Sequence, residues 1–268
     1  MTARQAEIIE LIRKEVKPAL GCTEPIAVAL AVAKAMEIME DRCEISDPQW
    51  RMKDCYSLRV EVSGNILKNG MGVGIPGTGM VGLHIAAALG AACGKSEYGL
   101  EVLNDLDDAS IEKAKQIVDT KTVTVGLAET DSKLYVKAYV DSKDGHCAST
   151  VIKDNHDSII ETSFDGVVLF SSEKNEDTQV ADQKTTLDYN LTVKEIVEFA
   201  STVAYEDIEF ILESRTLNLA LAYEGLKGKY GLKVGWAIRL EDNKEVFGGD
   251  FLSYAMSLTA AASDARMA

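Results

Sequence analysis

The sequence has no excess of positive charge. Its 28 lysines and arginines stand against 43 aspartates and glutamates, for a net charge of −15 and a pI near 4.7. No run of basic residues occurs. A nucleic-acid binder needs clustered Lys and Arg to displace condensed counterions, so nucleic acid is not an expected partner. A polybasic membrane-surface segment is disfavoured for the same reason. Long apolar runs are missing too: the longest, 26–33, falls far short of the ~20 residues that span a bilayer. Residues 1–7 carry no apolar core behind a basic start, so no secretory signal is read and a cytoplasmic location is expected, with no membrane partner.

Paired cysteines are absent as well. Cys22, Cys43, Cys55, Cys93 and Cys147 are odd in number, irregular in spacing and without a Cys-x-x-Cys. That excludes a disulfide scaffold and a self-contained zinc or ferredoxin-type site as the simplest readings. The three histidines, His84, His146 and His156, form no ligand or triad pattern. Gly-x-Ser-x-Gly, His-Glu-x-x-His and a pyridoxal-phosphate lysine context are also lacking. What remains is 46% apolar and 26% charged, the balance of a globular protein. The 268 residues allow roughly one or two domains of about 150 residues each.

Ile8, Ile9, Leu11, Ile12 and Val16 recur at helical spacing, and Pro18 stops that helix. Thr23 as N-cap and Pro25 in the first turn open a second helix to about 41, alanine-rich and so buried. From Tyr56 the period becomes two: Leu58, Val60 and Val62 alternate with Arg59, Glu61 and Ser63. A glycine-rich stretch over 63–82 leads into an apolar helix at 80–93, a short helical piece at 100–106 and a helix at 108–118. The segments 123–128, 134–141, 147–153, 158–163 and 167–170 read as strands joined by short turns, an antiparallel meander. The polar run 171–188 reads as a surface linker. Thr192 with Glu195 makes a capping box before a helix, and further helices are expected at 205–223 and 250–267. The fold class is α+β, with helices bracketing a central, mostly antiparallel β layer. Three parts are expected: 1–120 with the glycine stretch, 121–190 with the strands and linker, and a helical 191–268.

Two stretches carry candidate chemistry. In Gly21-Cys22-Thr23-Glu24-Pro25 a cysteine precedes a helix N-terminus. The helix dipole and free amides there would lower the thiol's pKa. The bland alternative is a buried turn cysteine. In 63–82, glycines at 70, 72, 74, 77, 79 and 82 free the backbone to approach a ligand, and amides at a helix entrance suit a carboxylate or phosphate. The alternative is a tight connection needed for packing, which six glycines in thirteen residues make less comfortable. Gly72 to Gly77 satisfies Gly-x-Gly-x-x-Gly, but no repeated βαβ pattern surrounds it, so a nucleotide-binding oxidoreductase is the weakest reading.

Leu20-Gly21-Cys22-Thr23-Glu24-Pro25, Ser63-Gly64-Asn65, Lys68-Asn69-Gly70-Met71-Gly72-Val73 and Pro76-Gly77-Thr78-Gly79 resemble signatures of the L-cysteine desulfidase family. This is an uncharacterised-protein-family group related to the α chain of iron–sulfur L-serine dehydratase. Gly99-Leu100-Glu101-Val102-Leu103 and Ser263-Asp264-Ala265-Arg266-Met267 resemble it too, so the likeness runs along nearly the whole chain.

The resemblance implies a pyridoxal-independent lyase that breaks L-cysteine down to pyruvate, hydrogen sulfide and ammonia at a [4Fe–4S] cluster. It makes Cys22 a cluster ligand. The chemistry of the glycine stretch suggests substrate contacts from Asn65, Lys68, Asn69, Thr78 and the Gly77 backbone. Family members continue past the Ser-Asp-Ala-Arg-Met segment and carry the other cluster cysteines there. Cys43, Cys55, Cys93 and Cys147 match none of those, so this chain is expected to be an N-terminal fragment, without an intact cluster and inactive alone. The catalytic base is not identified. The alternatives are L-serine dehydratase and, in another class, a non-catalytic domain binding a small anion. The expected partner is a small amino acid, cysteine or serine, and apolar surface on the alanine-rich last helix leaves a homo-oligomer open.

Overall fold

Period-two alternation builds the centre of the structure. In the computed structural model, which describes every residue except 20, 48, 54, 76, 173–189, 242–250, 267 and 268, β1 (Tyr56–Val62) buries Tyr56, Leu58, Val60 and Val62 on one face. It joins β2 (Val123–Leu127), β3 (Tyr135–Ser142), β4 (Cys147–Lys153), β5 (Ile159–Phe164) and β6 (Val167–Ser171) in one sheet, ordered β2-β1-β3-β4-β5-β6. The fold is α+β, and the sheet is mostly antiparallel.

The expected meander holds only from β3 onward, because β1 lies between β2 and β3. β2 runs parallel to β1, with Leu58 opposite Val123 and Val62 opposite Leu127. The chain between them crosses over through α3 (Gly64–Gly70), α4 (Leu83–Cys93) and α5 (Asp108–Asp119). A crossover of that kind returns the chain parallel.

α2 (Thr23–Arg42) lies on β3 and β4, and α4 lies beside it towards β2 and β1. With the sheet below and α4 alongside, α2 is apolar on nearly all faces, and its alanines from Ala27 to Ala35 are fully buried. The two helices meet closely at Gly90: a Cβ there would stand 2.3 Å from the Ala29 carbonyl oxygen. Opposite the helices the sheet is polar, as one face of an antiparallel sheet can be. There the Arg59 guanidinium stacks 3.5 Å from the Tyr139 ring centre, and Ser149 and Ser163 share a 2.7 Å hydrogen bond.

The contacts divide the chain into two units, residues 19–177 with 266–268, and residues 1–18 with 178–265. The second unit is helical where described: α1 (Ala3–Glu15), α6 (Val193–Thr202), α7 (Tyr205–Ile208), α8 (Leu212–Gly225), α9 (Val234–Glu241) and α10 (Phe251–Ala265). The Thr192 capping box is present, and α1 has one as well, Thr2 with Gln5. Arg4 of α1 pairs with Glu195 of α6 at 3.1 Å. α8, α9 and α10 converge on Ala261, where Gly225 and Gly235 leave no room for a side chain. Asp264, in one of the family-like segments, is buried and accepts the Gly235 N–H at 3.1 Å near the start of α9. The run read as a surface linker lies almost wholly outside the described residues, as does the far end of the last expected helix.

Candidate functional site

The N-terminus of α2 is set one residue earlier than the sequence suggests. Cys22, not Thr23, is the N-cap, in extended conformation after Gly21 at φ 88°. Its thiol donates to Glu24 Oε2 at 2.9 Å. The other Glu24 oxygen, Oε1, accepts from Asn69 Nδ2 at 3.2 Å. Glu24 thus ties the start of α2 to α3.

α3 corrects the picture of a continuous glycine loop, because 64–70 is helix. Ile66 and Gly70 are buried one turn apart and hold it down, and a Cβ at Gly70 would fall 2.3 Å from Leu83. Asn65, Lys68 and Asn69 are exposed, at the i, i+3, i+4 spacing that shares a helix face. These three predicted site residues therefore share one helix face, and Asn69 ties that helix to Glu24, the hydrogen-bond partner of Cys22.

The remaining predicted residues are placed differently. The turn after α3 needs its glycines: Gly77, Gly79 and Gly82 take φ of 76°, 67° and 97°. The Thr78 side chain is buried inside that turn, where its hydroxyl donates to the Ile75 carbonyl at 2.7 Å and accepts the Met80 N–H at 3.0 Å. Gly77 packs towards Ile111 and Leu106. His84 lies on α4, half-buried. His146 meets Asp165 at 2.8 Å on a surface turn.

The electrostatics reverse one expectation. The Cys22 thiol's pKa is raised, first by burial and then by its hydrogen bond to Glu24 and that carboxylate's charge. The amides of Thr23 and Glu24 pull the other way and are outweighed. For Glu24, burial works to raise the carboxyl pKa. Hydrogen bonds from Cys22 and Asn69, with the charge of His156, win and hold it below its ordinary value. The resting pair is therefore a protonated thiol donating to a carboxylate. Glu24 is the neighbour of Cys22 that sequence reasoning did not single out, and the charge of His156 acts on it. Glu24 stood in the motif, but Asn69 lies 45 residues on and His156 in the β4–β5 turn.

The donor set bears on the implied cluster. Cys22 and Cys43 cap opposite ends of the 20-residue α2, about 30 Å apart at 1.5 Å per residue. Cys55 precedes β1, and Cys147 pairs opposite Asp141, both at the sheet end away from α3. Cys93 ends α4, away from the glycine turn. All five thiols have raised pKa values, Cys147 pushed up to about 11 by burial and Asp141. Among the described residues no group of three or more Cys, His, Asp or Glu is placed to hold a metal. One thiolate does not fit a [4Fe–4S] cluster, which is held by several protein thiolates. What this end of the chain can do unaided is hold a proton between sulfur and carboxylate and offer the Asn and Lys groups of α3 to an anion.

The chain is 40% identical over 264 residues to the UPF0597 protein of Phocaeicola vulgatus, covering 98% of this chain and 57% of that protein. It is 41% identical over 259 residues to the UPF0597 protein of Shewanella pealeana. Its homologues are UPF0597 proteins. A third, from Oleidesulfovibrio alaskensis, is 43% identical over 263 residues. The chain spans 57–58% of the length of these UPF0597 relatives. No family profile matches the chain, and no solved structure does. Among the described residues no helix is long and apolar enough to cross a membrane.

Proposed function

We propose that this chain is the amino-acid-binding part of a pyridoxal-independent carbon–sulfur lyase, whose net reaction converts L-cysteine and water to pyruvate, hydrogen sulfide and ammonia. The observation that supports it most is the joining of two family-like motifs through one carboxylate, Cys22 and Asn69 both on Glu24. Lys68 and Asn65 beside Asn69 give a cation and an amide for a substrate carboxylate. Glu24 accepts the Cys22 thiol hydrogen bond and keeps the sulfur protonated at rest. Of a [4Fe–4S] group, this chain offers the single thiolate Cys22, and the other ligands would come from outside it.

The test compares the P. vulgatus relative with this chain, both reconstituted anaerobically with iron and sulfide and then desalted. The relative is expected to release sulfide and pyruvate from L-cysteine. Pyruvate from L-serine alone would replace the reading with L-serine dehydratase, and neither product would overturn it. The present chain is expected to retain no stable four-iron cluster after desalting. A stoichiometric four-iron absorbance on this chain would refute Cys22 as its sole ligand.

A further inference from the structure

α6 is built as an amphipathic helix but turned the unexpected way. Its capping-box residue Glu195 pairs with Arg4 of α1. Thr202, at its end, accepts from Gln5. The positions on the opposite stripe, Val193, Ile196, Val197 and Ala200, follow i, i+3, i+4, i+7 spacing. Val193 is 77% exposed, Ile196 50% and Val197 59%, and no residue of α6 is buried. A ten-residue helix with its apolar stripe in water is marginal, since most helical stability comes from packing that stripe. An apolar stripe rimmed by Lys194 and Glu198 marks a contact surface.

We propose that the Val193–Ile196–Val197 face of α6 is the docking surface for the part of the polypeptide by which the UPF0597 relatives exceed this chain. The matched region makes up 57–58% of those proteins, so roughly two fifths of each is unmatched. Both parts belong to one chain in the relatives, at a fixed one-to-one ratio. The tether raises the effective concentration of that contact far above that of a second copy. A stripe of three large side chains is also much smaller than the ~800 Å² per partner of a stable dimer. The inference stands on exposure and relative length and does not depend on the lyase reading.

Carbene footprinting of this chain and of the full-length P. vulgatus relative, read peptide by peptide, tests it without any activity assay. The stripe of α6 is expected to label heavily in this chain and several-fold less in the aligned helix of the relative. In this chain Val197→Glu, at an exposed position, is expected to leave the thermal midpoint unchanged. The matching change in the relative should restore heavy labelling of that helix. Equal labelling of the two proteins overturns the proposal. Protection of α6 already present in this chain, through a second copy detected by sedimentation or otherwise, overturns it as well.

Discussion

Cys22 and Glu24 work as one unit at the residue scale, and their pKa directions give a pH signature. A thiol whose pKa is raised by folding is stabilised below its ordinary value and loses that stabilisation as pH rises through the raised one. Iodoacetamide alkylation of the Cys22 peptide, followed by mass spectrometry, should therefore reach half its maximal rate above the ordinary thiol pKa. Glu24→Gln should lower that midpoint, because the carboxylate's charge and acceptor are gone; an unchanged midpoint would leave burial as the whole cause. Thr150 makes a second residue-scale case. It is fully buried on β4 between Ala148 and Ile152, and its hydroxyl has no partner among the described residues. Burying an unmade hydrogen bond costs ~1–3 kcal/mol. Thr150→Val should raise the thermal midpoint, and a fall would show that the hydroxyl does find a partner.

Elements were legible where local physics decides them. Alternation or β-branched residues mark the six strands among the described residues, the Thr192–Glu195 spacing marks α6, and alanine on every face of α2 marks a buried helix. α3 was not legible, because its glycines at 64 and 70 mask a helix that the burial of Ile66 secures. Nor was α9, whose eight residues pack through Gly235 rather than a regular apolar stripe. The parallel β1–β2 pair depends on where a helical crossover brings the chain back, which no window of residues displays. The candidate site divided the same way. Cys22 and the α3 polar residues stood in motifs, whereas their joining through Glu24 is a contact across 45 positions. The closeness of α2 and α4 yields a prediction at this scale. Gly90→Ala sets a methyl carbon against the Ala29 carbonyl, and overpacking of this kind costs about 1–3 kcal/mol. Denaturant unfolding should show that loss, and wild-type stability would mean the helices can part freely.

At the scale of the whole molecule, each of the two units carries one of the features proposed above. The sheet-bearing unit gathers Cys22, Glu24, Asn69 and Lys68 at one end but offers one thiolate there. The helical unit exposes the apolar stripe of α6. The central claim is that the α2–α3 end binds an amino acid. Amide chemical shifts of the isotope-labelled chain, followed as L-cysteine is added under reducing, anaerobic conditions, test it most directly. The account predicts saturable shifts confined to residues 21–24 and 64–70, stronger with L-cysteine than with acetate and abolished by the double change Lys68→Ala with Asn69→Ala. Shifts elsewhere, shifts equal with acetate, or none at all would contradict it.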